Sequence, residues 1–261
     1  EATGTLINES EVLPSELKEK IHISNFYHRG EKGPGDTLSV ITKRSKDERK
    51  IWKYHADNVH DFAFTADPTY RIDERKWGGI KTVAIVEERH CPKWKTAAEF
   101  AMDVIKVYSN DFGKYEYPKM VVADARDGME YPMLTLDSGK DPYYKGLIAH
   151  EIAHNWFYGM VGSNETYRAF LDEGFTQFLT VWSLEKIDGE IYSPYNQKGK
   201  SWYKNKFKGA PKSRDMRAYI GYLNEAIKLE DPSLNTHSSD FDGGSLRHDG
   251  GYRQVYSKTA V

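Results

Sequence analysis

The sequence predicts an α+β fold in which strands are followed by helices. Two runs rich in β-branched and apolar residues, Lys81–Val86 and Met120–Ala123, have the composition of strands. Between them, Thr96–Glu99 has the capping-box pattern that opens a helix, and Asp111–Gly113 closes it. A second, largely apolar helical segment comes next. The predicted class rests on this order of strand, helix, strand and buried helix.

The buried helical segment contains the motif His150-Glu-Ile-Ala-His154. Histidines four residues apart lie above one another on a helix, and Glu151 falls on the same side. Asp141-Pro142 is a suitable N-cap and first turn, so we expect this helix to run to about Tyr158. The opposite side is apolar and predicts burial of Ile148, Ile152 and Trp156.

Two imidazoles do not complete a zinc site, because a catalytic zinc takes three protein ligands and keeps one open position. Glu173 is the candidate third ligand, on a second predicted helix that ends at Gly189. The metal lowers the pKa of its bound water toward about 7, and Glu151 is the carboxylate that takes the proton. The sequence therefore predicts one Zn²⁺ held by His150, His154 and Glu173. The alternative is a helix whose two histidines bind nothing.

The residues around this motif resemble a known family. The run from His150 to Gly159, followed by Phe170–Phe175, is similar to the aminopeptidase N-like gluzincins, which include the leukotriene hydrolases. Asp127–Tyr131 resembles their Gly-x-Met-Glu-Asn exopeptidase motif, and Tyr256–Lys258 resembles the segment that holds their catalytic tyrosine. The resemblance covers residues from about 70 to 261 well and the first seventy loosely.

The resemblance implies a thermolysin-like catalytic domain over residues 71–261, truncated at its C-terminus. Residues 1–70 are expected to be the end of an all-β N-terminal domain, with strands at Ser39–Thr42 and Phe62–Thr65. The chain starts with Glu1 and not with Met. We therefore expect a piece of a longer protein whose N- and C-terminal regions are missing here.

The resemblance also implies how a peptide would be held. Glu130 matches the family glutamate that binds the substrate α-ammonium, a task suited to a partly desolvated carboxylate. Tyr131 and Asp127 stand where the family has Asn and Gly, which changes the backbone context of this pocket. The Gly128 amide is a weaker candidate for a substrate contact. Met133–Leu136 is expected to form the sheet edge against which the peptide lies.

Tyr256 matches the family tyrosine, and a neutral hydroxyl is a suitable donor to the oxyanion of a tetrahedral intermediate. Tyr252 is its nearest competitor. Asp172 has two open interpretations, as a partner of a ligand imidazole or as a solvent-facing acid. His237 and His248 lie in a predicted loop, where histidines are usually solvated.

Composition limits the remaining classes. The 261 residues have a net charge of −2, which gives no electrostatic reason to expect nucleic acid. No apolar run is long enough to span a membrane, and the single cysteine excludes an intrachain disulfide. Residues 190–212 are expected to be a solvated connector. The compartment is open between periplasmic or secreted and cytoplasmic.

Together these features predict a zinc aminopeptidase that acts on peptides. The alternatives are a zinc endopeptidase, or a catalytically silent zinc fold that serves as a binding module.

Overall fold

The computed structural model describes residues 1–28, 40–41, 49–191, 211–229, 233–240 and 253–261. They form two compact units. The first comprises Glu1–Lys106 and Glu116–Ile148, and the second comprises Val107–Tyr115 and Ala149–Val261. Several predicted features lie outside the described residues: half of the strand Ser39–Thr42, most of the connector 190–212, His248 and Tyr252.

The N-terminal part of the first unit consists of short elements. These are β1 (Thr5–Leu6), α1 (Glu9–Val12), α2 (Ser15–Lys20), a 3₁₀ turn (Ile23–Phe26) and β2 (Tyr54–His55). β1 and β2 pair antiparallel. The strand predicted at Phe62–Thr65 is wrong, because Phe64 makes only an isolated bridge, to Ala2. Phe64 is 74% exposed, whereas the neighbouring Ala63 packs against the core. The assignment of residues 1–70 to a β domain stays a prediction.

A five-stranded mixed sheet is the centre of the first unit. Its strands are β3 (Tyr70–Trp77), β4 (Ile80–Glu87), β5 (Lys119–Asp124), β6 (Met129–Tyr131) and β7 (Leu134–Asp137). Their order is β3-β4-β5-β7-β6. β4, β5 and β7 are parallel, whereas β3 and β6 pair antiparallel with their neighbours. The two strands predicted from β-branched runs are confirmed as β4 and β5.

The predicted helix between these strands is also confirmed, as α3 (Ala97–Asp111). Its apolar face is buried through Phe100, Val104 and Ile105. The chain leaves α3 through Gly113, whose φ of 125° favours glycine. Parallel strands need such a crossover, and α3 supplies it between β4 and β5.

The sheet edge differs from the prediction. The expected edge strand, Met133–Leu136, forms β7, which hydrogen-bonds with both β5 and β6. Among the described strands, the edge at this end of the sheet is therefore β6, where Glu130 lies opposite Thr135. The short reversal between the two strands explains the error, because Met133 adopts a φ of 61° and turns the chain back.

The first predicted metal helix is shorter than expected. It forms α4 (Lys145–Ala153), because Asp141–Tyr144 make turns before it. At its end, the amide of Gly159 donates to the carbonyl of His154, and Tyr158 has a φ of 101°. His154 thus lies one residue beyond α4 and still donates its amide to the His150 carbonyl at 3.4 Å. The predicted burial is confirmed for Ile148, Ile152 and Trp156.

The second predicted helix is confirmed as α5 (Glu173–Asp188), and Gly189 ends it with a φ of 86°. A π-helix (Asp215–Tyr219) leads into α6 (Ile220–Ile227), and a second π-helix spans Arg253–Lys258. Within the second unit, the Tyr108 hydroxyl donates to the Ala149 carbonyl at 2.9 Å and lies 3.0 Å from Ser183 Oγ. This hydroxyl therefore links the residue before His150 to α5. No described helix is both long and apolar enough to cross a bilayer.

Asp137, at the end of β7, gives the fold a pH dependence. The side chain is fully buried, and burial raises its pKa from 3.8 to about 7, although Thr135 donates to its Oδ2 at 2.8 Å. The pKa of Asp137 is higher in the folded than in the unfolded protein, so folding favours the protonated side chain. The stability that this difference contributes is complete below about pH 4 and is lost as the pH rises through 7. The difference between the two pKa values corresponds to roughly 4 kcal/mol at most.

We predict that Asp137→Asn, measured by chemical denaturation, removes most of the fall in unfolding free energy between pH 4 and pH 7. The variant should then exceed the parent protein in stability at pH 8. Asp57→Asn is the control, because the Asp57 side chain is 78% exposed. Parallel stability curves for Asp137→Asn and the parent protein would contradict this account.

Candidate metal centre

Three predicted ligand atoms converge in the second unit. Glu173 Oε2 lies 3.0 Å from His150 Nε2 and 3.3 Å from His154 Nε2. All three atoms lie within 4.8 Å of one another. The two imidazole rings are nearly perpendicular, at 85°, with centroids 4.9 Å apart. Residues from α4, from the turn that follows it and from the first turn of α5 thus form one triad.

The donor set fits a zinc ion. At the usual zinc–ligand distance of about 2.0–2.1 Å, neighbouring atoms of a tetrahedral site lie roughly 3.3 Å apart. The separations of 3.0 and 3.3 Å between Glu173 Oε2 and the two Nε2 atoms are close to this value. Two imidazoles and a carboxylate also form the ligand set of a catalytic site with one open position. The site can accordingly hold zinc through His150, His154 and Glu173.

Asp172 is the partner of a ligand imidazole. Its Oδ1 lies 2.5 Å from His154 Nδ1, and Thr176 Oγ1 lies 3.3 Å from the same nitrogen. Asp172 is only 2% exposed, so the solvent-facing interpretation is wrong. The carboxylate holds the proton at Nδ1 and leaves Nε2 directed at the triad, which fixes the orientation of a metal-binding histidine.

Mutual charge stabilises the triad. Burial alone would lower the pKa of His154, but Asp172 and Glu173 outweigh it, and this pKa is raised well above its ordinary value. Burial would raise the pKa of Glu173, but His150 and His154 lower it strongly. The Glu173 carboxylate is therefore ionised, which is the form that binds a cation.

Tyr256 reaches the triad from the π-helix Arg253–Lys258. Its hydroxyl donates to Glu173 Oε1. Its ring stacks on His150, with centroids 5.6 Å apart and planes 13° from parallel. The predicted catalytic tyrosine is thus next to two of the predicted ligands, and in this structure its hydroxyl is bonded to one of them. π-helical turns are often found at functional sites.

Two glycines allow this π-helical segment to lie close to α5 and α6. A Cβ at Gly174, directly after Glu173, would lie 2.2 Å from the Thr259 Cβ. A Cβ at Gly221 in α6 would lie 2.5 Å from Ser257 Oγ. Ser257 and Thr259 flank Lys258, just after Tyr256. Close contact with α5 and α6 therefore holds the tyrosine segment in place.

The other predicted residues have separate environments. Glu151, in α4, is 5% exposed and lies between the two histidines in sequence. Glu130, on β6, and Gly128, just before it, belong to the first unit. The Gly128 amide, a candidate substrate contact, donates to Asp127 Oδ1 at 3.0 Å, so its donor is engaged in this structure.

His237 stacks on Tyr167, with centroids 4.6 Å apart, and bonds to Ser239. Within the described ranges it belongs to no group of side chains that could hold a metal.

Sequence reasoning missed the polar face of α5. Thr176 and Thr180 follow Glu173 by three and seven residues, and their hydroxyls lie near His154 and His150 at 3.3 and 3.4 Å. The signal was present in the sequence, because residues at these spacings share a helix face. It was weak because threonine is common on helix surfaces.

The comparisons with known proteins agree with this geometry. Residues 96–220 match the Peptidase family M1 domain. Over 168 residues, or 60% of the chain, the sequence is 27% identical to leucine aminopeptidase 2 of Ajellomyces capsulatus (strain NAm1 / WU24). Over 163 residues, or 58% of the chain, it is 28% identical to leukotriene A-4 hydrolase of Xenopus laevis. The matched regions span 27% and 26% of these relatives' own lengths.

The matched domain is that of a metallopeptidase-type hydrolase, and the triad is a group of side chains that could hold its metal ion. More particularly, residues 96–220 match the peptidase family M1 domain, which confirms the resemblance to the aminopeptidase N-like group seen in the sequence.

We predict that Gly174→Ala destabilises the protein by about 1–3 kcal/mol, the usual cost of overpacking. The new methyl group would meet the Thr259 side chain at 2.2 Å. Gly162→Ala is the matched control, because nothing lies within 4 Å of its Cβ position. Both unfolding free energies are measured by chemical denaturation.

Adding Thr259→Gly to Gly174→Ala should recover part of the lost stability, because it removes the atoms that clash. Equal stabilities for Gly174→Ala, Gly162→Ala and the parent chain would contradict the close contact described for Gly174.

Proposed function

We propose that this chain is the catalytic part of a zinc-dependent aminopeptidase that hydrolyses N-terminal peptide bonds. The observation that carries the proposal is the convergence of His150 Nε2, His154 Nε2 and Glu173 Oε2, with Glu151 buried in the same helix as His150. The relatives named leucine aminopeptidase 2 support the reaction class.

Glu151 is the proposed general base. A bound zinc supplies a Lewis acid and lowers the pKa of a coordinated water. The Glu151 carboxylate takes a proton from the attacking water and passes it to the leaving amine. Its burial keeps competing solvent away from the carboxylate and strengthens its interactions with charges nearby.

Tyr256 is proposed to donate a hydrogen bond to the oxyanion of the tetrahedral intermediate. Its hydroxyl has a single hydrogen, which goes to Glu173 Oε1 in this structure. Donation to the substrate therefore requires the hydroxyl to exchange this partner. The stacking of its ring on His150 keeps the aromatic group beside the triad while the O–H bond rotates.

Glu130 is proposed to bind the substrate ammonium from strand β6. Among the described strands, β6 lies at one edge of the sheet, so its outer backbone groups can pair with an extended peptide. Glu130 is neither buried nor fully exposed, which suits a carboxylate that must bind a cation from solvent. β6 takes the place that the sequence assigned to Met133–Leu136.

Peptides with free and acetylated N-termini distinguish an aminopeptidase from an endopeptidase. We predict that the zinc-loaded protein cleaves only the free-amine peptide at an appreciable rate, because the ammonium anchors the substrate. Glu130→Ala should reduce this rate about 100-fold or more, because it removes a charge-assisted contact with the ammonium. Any cleavage of the acetylated peptide should be unchanged. Initial rates over a range of peptide concentrations give both values.

Equal cleavage of the two peptides by the parent protein would favour the endopeptidase. Zinc binding without turnover of either peptide would favour the silent binding module.

Glu151→Gln tests the base. The amide has nearly the same shape but cannot accept a proton, so we expect kcat to fall by at least about 10³-fold. Zinc content, measured by atomic absorption after dialysis, should stay at one ion per chain. Turnover within tenfold of the parent protein would show that another group takes the proton.

A further inference from the structure

We propose that Thr180 is a positioning residue for His150: its hydroxyl accepts a hydrogen bond from Nδ1 and thereby sets the tautomer that directs Nε2 at the metal. This inference rests on the proposed zinc site and assigns a residue beyond the triad. The observation behind it is the position of Thr180 Oγ1, 3.4 Å from His150 Nδ1.

The direction of this hydrogen bond follows from counting hydrogens. Thr180 Oγ1 donates to the Thr176 carbonyl at 2.8 Å. A hydroxyl has one hydrogen and two lone pairs, so its remaining capacity toward His150 is that of an acceptor. A neutral histidine that binds a metal through Nε2 carries its proton on Nδ1 and needs an acceptor there. The Thr180 hydroxyl meets this need.

The surroundings make the hydroxyl hard to replace. Thr180 is 2% exposed and Thr176 is fully buried, so bulk water does not reach the position in this structure. Ser183 Oγ donates to the Thr180 carbonyl at 3.1 Å and fixes the backbone from the next turn of α5. The β-branched threonine side chain has few rotamers, which keeps Oγ1 in place.

The Nδ1 atoms of the two histidines therefore have unlike partners. Nδ1 of His154 bonds to the Asp172 carboxylate, whereas Nδ1 of His150 bonds to the neutral hydroxyl of Thr180. Glu173, Thr176 and Thr180 share one face of α5, so a single helix supplies a metal ligand and contacts to both imidazoles. Thr180 then adds orientation to the site without adding negative charge.

The test compares Thr180→Val, which keeps the shape but removes the oxygen, with Thr180→Ser, which keeps the oxygen. Zinc affinity is measured by competition with a chromophoric chelator at pH 7.5. Loss of a partner of a metal-binding histidine typically weakens metal binding 10–100-fold, and a neutral partner belongs at the low end. We expect the valine variant to bind zinc about tenfold more weakly and the serine variant to bind within about threefold of the parent protein.

A spectroscopic readout separates positioning from packing. In the zinc-loaded parent and serine proteins, ¹⁵N NMR should show His150 protonated at Nδ1 with a slowed hydrogen exchange that the valine variant loses. The metal-free stabilities of the variants are recorded alongside. If Thr180→Val does not fold, Thr180→Ala against Thr180→Ser gives the same comparison.

The outcomes are distinct. If the parent protein binds no zinc, the proposed function itself fails. If the parent binds zinc and all variants bind it equally, or if valine and serine weaken binding alike, the hydroxyl has no positioning role and the inference is overturned.

Discussion

The structure depends on one close approach, that of the Glu173 carboxylate to the two imidazole Nε2 atoms at 3.0 and 3.3 Å. Polar groups that are largely removed from solvent are costly unless each is paired. Here the partners are the ligands themselves on one side and Asp172 and Thr180 on the other. The apolar side of α4, which buries Ile148 and Ile152, anchors the helix that presents the histidines.

Helix α5 organises the second unit around this approach. Its first residue is a ligand, its second is a glycine that admits the segment carrying Tyr256, and its next turns contribute Thr176 and Thr180. Asp172, at its N-cap, bonds to His154. A short stretch of sequence therefore combines metal binding, histidine orientation and close packing. This explains why a change as small as one methyl group at Gly174 is expected to matter.

Local sequence signals predicted the elements with strong periodicity or composition. β4, β5, α3 and α5 have the expected type and nearly the expected bounds, because β-branched runs, a helix-opening threonine and terminal glycines act locally. The position of β6 at the sheet edge, and that of β7 inside it, depends on nonlocal pairing that no local pattern encodes. The end of α4 at Ala153 coincides with a change of backbone pairing that the sequence pattern did not signal, because the Asn155 and Trp156 amides donate to carbonyls three residues back. Likewise, the triad was predicted from the histidine motif and the family resemblance. The spacing of Thr180 from Glu173 indicated a shared helix face but not the contact of Thr180 with His150, 30 positions earlier in the chain.

The central claim is that one zinc ion binds between α4 and α5, and X-ray diffraction from zinc-loaded crystals tests it directly. Data collected on both sides of the zinc absorption edge should give one anomalous peak per chain, about 2.0–2.2 Å from His150 Nε2, His154 Nε2 and Glu173 Oε2. A map with no peak among these three atoms, from crystals of protein shown to be folded and soaked in zinc, would contradict the account.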